Sequence, residues 1–161
     1  VCSSDLSEED MVKQASEFAG TVPVRHLLPY WKTGNRYLFS GGSVNMRDAA
    51  VYAKEENWSK AVELWKQTYE TKKGKQKMYA AYNTALGYEM QDSIDTALEW
   101  ALKAQTLARE KSKTDKKETG EIHDGTISYY IFISMYVDEL EKRKEGMARL
   151  NMQMNRFDDD F

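Results

Sequence analysis

The sequence predicts a mainly α fold: a short helix and an irregular or strand-like segment first, then two helical hairpins capped by a long C-terminal helix. Three observations predict it. Both prolines, Pro23 and Pro29, lie near the start, and no proline follows. Proline costs roughly 3 kcal/mol inside a helix, so a proline-free run of this length suits helices. The stretch DAAVYAKEENWSKAVELW (48–65) also lies over TALGYEMQDSIDTALEWA (84–101), 36 positions on. Near the C-terminus, Tyr130, Ile133, Val137, Leu140, Met147 and Met154 fall on a heptad seam, broken by Lys144 and Asn151.

Length and composition bound the reading. A chain of 161 residues supports one domain with a sizeable core. With 41% hydrophobic and 30% charged residues it is globular. Net charge is −3, from 23 basic and 26 acidic residues, which gives no field for capturing nucleic acid or an anionic membrane. One cysteine excludes an internal disulfide. No apolar run reaches the length of a membrane span, about 18 residues or more.

The elements follow in order. Residues 1–6, VCSSDL, fit one frame of a translated short-read sequencing adapter, so they are expected to be non-native and Cys2 carries no role. Lipidation of Cys2 would need a preceding apolar stretch, and only Val1 precedes it. Residues 7–44 are then expected to be a helix and an irregular or strand segment, the remnant of a truncated upstream domain. Ser7 with Glu8, Glu9 and Asp10 caps a helix expected to run to Phe18 and stop at Gly20. Arg36-Tyr37-Leu38-Phe39 is strand-like, bounded by Gly34-Asn35 and Ser40-Gly41-Gly42-Ser43, with its partner expected upstream.

Residues 45–161 form the helical domain. Asn45 with Asp48 opens a helix to about Glu56, Asn57 marks a tight turn, and a second helix spans about 59–71. Gly74 ends this pair. A third helix is expected over about 75–90, a turn at Asp92-Ser93, and a fourth helix to about Lys111. A charged loop, KSKTDKKETGE, then leads to the final helix, about 126–154. The first half of that helix, with Ile127, Ile131, Phe132 and Tyr136 on further faces, is expected to be buried against the second hairpin.

The two hairpins match by physics as well as by letter. Ala49 meets Ala85 and Ala61 meets Ala97, small residues that let helices approach closely. Tyr52 meets Tyr88, filling space between hairpins, and Glu56-Asn57 meets Asp92-Ser93 at the reversal. This spacing resembles the tetratricopeptide repeat, a helix-turn-helix unit with a period near 34 residues. Ala61 and Trp65 keep the repeat's Ala-x-x-x-aromatic step. The second copy has Ala101 at the Trp65 position, and neither copy keeps the family's early Trp or terminal Pro.

The wider organisation is similar to uncharacterised bacterial envelope lipoproteins, in which a β-rich region ends in a PYW…RYxF-type segment before a tetratricopeptide-like tail. Leu28-Pro29-Tyr30-Trp31, Arg36-Tyr37-Leu38-Phe39, Ala81-Tyr82-Asn83 and Tyr88-Glu89-Met90 carry that resemblance. It implies a cell-envelope location, periplasm-facing or at the surface, with any membrane attachment through a lipid anchor outside this sequence.

Chemistry is sparse. His26 and His123 have no carboxylate or cysteine at a metal-ligand spacing. SGGS lacks the Lys and context of a phosphate loop, so no catalytic residue, metal or cofactor is expected. The run from Lys72 to Lys77 reads as a solvated turn. In tetratricopeptide arrays the first helix of each hairpin lines a concave groove, so the resemblance puts Met46, Ala50, Ala53 and Lys54, then Tyr79, Tyr82, Leu86, Glu89 and Met90, on that face. Asn83 matches a position where family members hold a peptide backbone or terminal carboxylate. A carboxylate clamp is not expected, because Met46 and Ala50 stand where a Lys and an Asn would be.

The expected role is a non-catalytic scaffold or protein–protein interaction module that takes a peptide, a helix or its own upstream domain. The alternative is glycan binding through exposed aromatic rings, with Tyr30 and Trp31 as the best local pair.

Overall fold

The computed structural model describes residues 8–27, 34–119 and 128–159. The chain divides into two compact units, Val1–Asn35 and Arg36–Phe161. All regular structure among the described residues is helical: α1 (Glu8–Leu27), α2 (Val44–Lys54), α3 (Trp58–Thr71), α4 (Gly74–Glu89), α5 (Ile94–Thr119) and α6 (Tyr129–Asp159).

In the first unit, α1 passes through Gly20 and Pro23, beyond the stop expected at Gly20. Gly20 is not among the glycines with positive φ, so it does not form a left-handed C-terminal cap. A mid-helix glycine then costs only about 1 kcal/mol, and Pro23 removes one backbone donor without ending the helix.

The second unit packs its helices in chain order, α2 on α3, α3 on α4, α4 on α5 and α5 on α6. The two hairpins repeat in backbone geometry. Glu56 and Asp92, 36 residues apart, are the two described non-glycine residues with positive φ, at 59° and 56°. Asn57 donates its N–H to the Tyr52 carbonyl (2.8 Å), and Ser93 to the Tyr88 carbonyl (3.0 Å). Glu56 N–H reaches Ala53 O (3.2 Å), and Asp92 N–H reaches Glu89 O (3.1 Å). Each pair of bonds is a Schellman closure around a left-handed residue, which satisfies carbonyls that a helix end leaves open.

The expected small residues sit where helices meet: Ala49, Ala61, Ala85 and Ala97 are fully buried. Gly87 extends this close approach. A Cβ there would overlap the Val62 Cγ2 methyl and press on the buried Trp65 ring.

Helix boundaries depart from expectation in instructive places. Ser43, not Asn45, is the N-cap of α2, with extended backbone (φ −69°, ψ 163°). The Gly42-Ser43 bend starts the helix early, leaving Asn45 Nδ2 to donate to Gln67 Oε1 (3.3 Å). Asn57 does more than turn the chain, because its side chain accepts from Lys60 N–H at the start of α3 (3.4 Å). α5 runs through the expected loop to Thr119, since no glycine or proline interrupts the sequence before Gly120.

The heptad seam of α6 is buried at Ile133, Val137 and Leu140, but Met147 and Met154 are exposed, so packing ends within the first half of the helix. Ile131 is also exposed, on the opposite side of α6 from Ile133. Two residues subtend about 200° of a helix, so they cannot share one partner. The strand expected at 36–39 is extended backbone with no ladder among the described residues.

Two substitutions test these devices with opposite signs. Glu56→Gly relieves a left-handed conformation and should stabilise the chain by about 1 kcal/mol in urea unfolding. Gly87→Ala should destabilise it by roughly 1–3 kcal/mol through overpacking between α3 and α4.

Candidate functional site

The site is the face of α4 that carries residues 36–43. Most of α4 is buried from Met78 onward, including the polar Asn83, Thr84 and Glu89. Thr84 satisfies itself on the Ala80 carbonyl (2.8 Å). Asn83 and Glu89 instead bind the extended segment.

Segment and helix run antiparallel: Arg36 lies against Glu89, Phe39 against Asn83, and Ser43 against Gln76. An extended chain advances about 3.3 Å per residue and a helix about 1.5 Å. Three residues of the segment therefore keep step with six of the helix, from 36 to 39 against 89 to 83.

Asn83 is fully buried and works as a strand partner would. Its Nδ2 donates to the Phe39 carbonyl (2.7 Å), and its Oδ1 accepts the Phe39 N–H (3.1 Å). The Phe39 ring stacks on Tyr79 (centroids 4.1 Å, 13°) and meets Tyr82 edge-on (5.1 Å). From α6, Phe132 closes the cage edge-on at 6.2 Å, and Tyr79 and Tyr129 join their hydroxyls at 2.7 Å. Beyond the ring, Ser43 N–H donates to Gln76 Oε1 (3.4 Å). Gly42 takes φ +110°, and a Cβ there would collide with the Gln76 amide.

At the other end Glu89 gathers three donors. Arg36 is bidentate, with Nη2 on Oε1 (2.8 Å) and Nε on Oε2 (3.0 Å). The Tyr136 hydroxyl donates to Oε2 (2.9 Å), and Arg143 Nη1 to Oε1 (3.1 Å). Arg143 also reaches Asp92 (2.7 Å), and the Arg36 guanidinium lies 5.7 Å from the centre of the Tyr136 ring. Burial by itself pushes the Glu89 carboxyl up, but the bonds from Arg36, Tyr136 and Arg143 outweigh it and hold the group below its ordinary value. Burial first, then the neighbouring Glu89 charge, raises the Tyr136 phenol and keeps it protonated as a donor.

The residues expected on the groove divide. Tyr79, Tyr82, Asn83 and Glu89 converge on the segment. Met46, Ala50, Ala53 and Leu86 are buried, while Lys54 and Met90 are exposed. Tyr82 lies under α6 as well as beside Phe39, in ring contact with Phe132 and Tyr136. The sequence reading missed Arg36, Phe39 and Gly42 as the bound element, and Gln76, Phe132, Tyr136 and Arg143 as its holders. One signal was available: Glu89 lies in a helix whose neighbours are apolar, and a buried carboxylate requires a cation. The Tyr30–Trp31 pair, His123 and the side chain of His26 lie outside the described residues. No group of three His, Cys, Asp or Glu among the described residues is placed to hold a metal ion. No described helix is long and apolar enough to cross a membrane.

Fold and site define a mainly α helical-hairpin domain that holds an extended stretch of its own chain. The chain belongs to the family described as Domain of unknown function (DUF6340), whose model matches residues 47–142. A second model, Domain of unknown function (DUF8603), matches residues 4–39. The groove contact thus joins Arg36 and Phe39 of one matched region to Asn83 and Glu89 of the other. No curated protein and no solved structure matches the chain.

The depressed Glu89 carboxyl sets a pH dependence. Its folded-state value lies below its unfolded one, so the unfolded chain binds the proton more readily. The stabilisation is complete above the unfolded value and is lost as pH falls through the folded one. Below the ordinary Glu value of 4.5, wild type should lose stability more steeply than Glu89→Gln, as measured by chemical denaturation across pH.

Proposed function

We propose that this domain is a non-catalytic interaction module that grips an extended segment along α4, with its own residues 36–43 as the segment held. The single observation that carries this reading is the paired hydrogen bonding of Asn83 to both backbone groups of Phe39. An amide that reads backbone is indifferent to side-chain identity, whereas the aromatic cage and the Glu89 carboxylate add selectivity. The module then serves as a scaffold for the segment it holds. The tetratricopeptide-like spacing supports the same class of role, and the resemblance to envelope lipoproteins supports a place in the bacterial cell envelope, which fractionation of the native protein tests.

Hydrogen exchange on the full chain tests the grip. The Phe39 N–H should be strongly protected in wild type and exposed in Asn83→Ala, while the amides of α3 and α5 stay protected. Asn83→Ala should also cost about 1–3 kcal/mol, because it leaves backbone groups without partners. A Phe39 N–H that exchanges freely in wild type overturns the reading.

A further inference from the structure

We infer that the α4 groove is selective for extended segments of the form Arg-x-x-aromatic-x-x-Gly, that a second protein can present such a segment, and that residues 36–42 are the resident copy. The inference rests on the reading of α4 as a peptide-gripping face and adds the ligand class.

The resident segment shows which positions are read. Arg36 is bound through its guanidinium, and Phe39 is enclosed by the Tyr79, Tyr82, Tyr129 and Phe132 rings and fixed through its backbone. Gly42 is required by its positive φ and by the Gln76 amide against it. The intervening positions are read less: Tyr37 is 57% exposed, Ser40 and Gly41 are exposed, and Leu38 is half-buried. An arginine three residues before an aromatic, and a glycine three after it, is the pattern these contacts select.

Release of the occupant leaves the Glu89 end of the site paired, whereas the buried Asn83 amide gives up both of its bonds to Phe39, which an incoming backbone must replace. When Arg36 leaves, Glu89 keeps the Tyr136 hydroxyl and both the Nη1 bond and the charge of Arg143. No buried carboxylate is stranded, which is the usual barrier to vacating an ion-pair anchor. The segment itself is fastened at separate points rather than by a continuous backbone ladder, so it can be exchanged piecewise. A tethered occupant competes at an effective concentration on the order of millimolar, so a partner binds the wild-type chain weakly until the resident segment is loosened.

The test uses the full chain and a fluorescein-labelled peptide of residues 34–43, GNRYLFSGGS, followed by fluorescence anisotropy. Arg36→Ala loosens the resident copy and should bind the peptide at least about tenfold more tightly than wild type. Peptides with Ala for the Arg, or Ala for the Phe, should bind that variant at least about tenfold more weakly, the scale of losing a hydrogen-bonded charge or a buried aromatic anchor. If folded Arg36→Ala, checked by circular dichroism, binds all three peptides equally or none at millimolar concentration, the inference falls.

Should Arg36→Ala fail to fold, wild type with millimolar peptide takes its place. Displacement lowers protection of the Phe39 N–H, and unchanged protection overturns the inference. Strong Phe39 protection in wild type without peptide selectivity removes the partner but leaves the intramolecular grip. Free exchange of Phe39 in wild type removes both.

Discussion

The structure depends on one buried charge. Glu89 sits at the end of α4 with almost no solvent contact, and an unpaired carboxylate there would cost several kcal/mol. Its donors come from two places distant in sequence: Arg36 from the extended segment, and Tyr136 and Arg143 from α6. Satisfying one side chain therefore ties the start and the end of the second unit to the middle helix. Tyr82 and Phe132 lie within the same junction, so the aromatic cage around Phe39 and the polar cluster around Glu89 brace each other.

The hairpins supply the rigid frame for that junction. Each reversal places a left-handed residue, Glu56 or Asp92, at the same position and closes it with the same pair of backbone bonds. Alanines at the crossings and Gly87 against Val62 and Trp65 bring α3 and α4 close enough for a tryptophan to be fully enclosed. A helix held this tightly can present Asn83 and Glu89 at a fixed spacing. That spacing is what an extended chain with twice the rise per residue can match.

The segment is held at separate anchors rather than along a ladder. A continuous sheet edge accepts any strand with a suitable face, because its bonds are all to backbone. Here one amide reads backbone, one carboxylate reads a guanidinium, and rings read a ring. The segment is therefore held by anchors of three different chemistries, and without it Glu89 would keep Tyr136 and Arg143 while Asn83 would lose both of its bonds. The contact also crosses from the region matched by one family model to the region matched by the other, so the grip joins two recognisable stretches of the chain.

The sequence by itself determined the helical class, the two hairpins and their register. Those features rest on local signals, namely alanines at fixed spacing, a polar reversal and the absence of proline after Pro29. The resemblance to the tetratricopeptide repeat, rather than spacing alone, put Tyr79, Tyr82, Asn83 and Glu89, with Leu86 and Met90, on the groove face. Helix ends were less legible. Gly20 signalled a stop without the left-handed geometry that makes one, and the lysine-rich stretch after Lys111 resembled a loop while offering the helix no interruption.

Tertiary structure decided what occupies the groove. A strand-like tetrapeptide announces that its backbone needs partners, but its sequence does not say that a side-chain amide 44 residues later supplies them. Nor does it say which arginine meets Glu89. Long-range pairing is set by how the hairpins bring 36, 89 and 143 to one place, and no local pattern encodes that meeting.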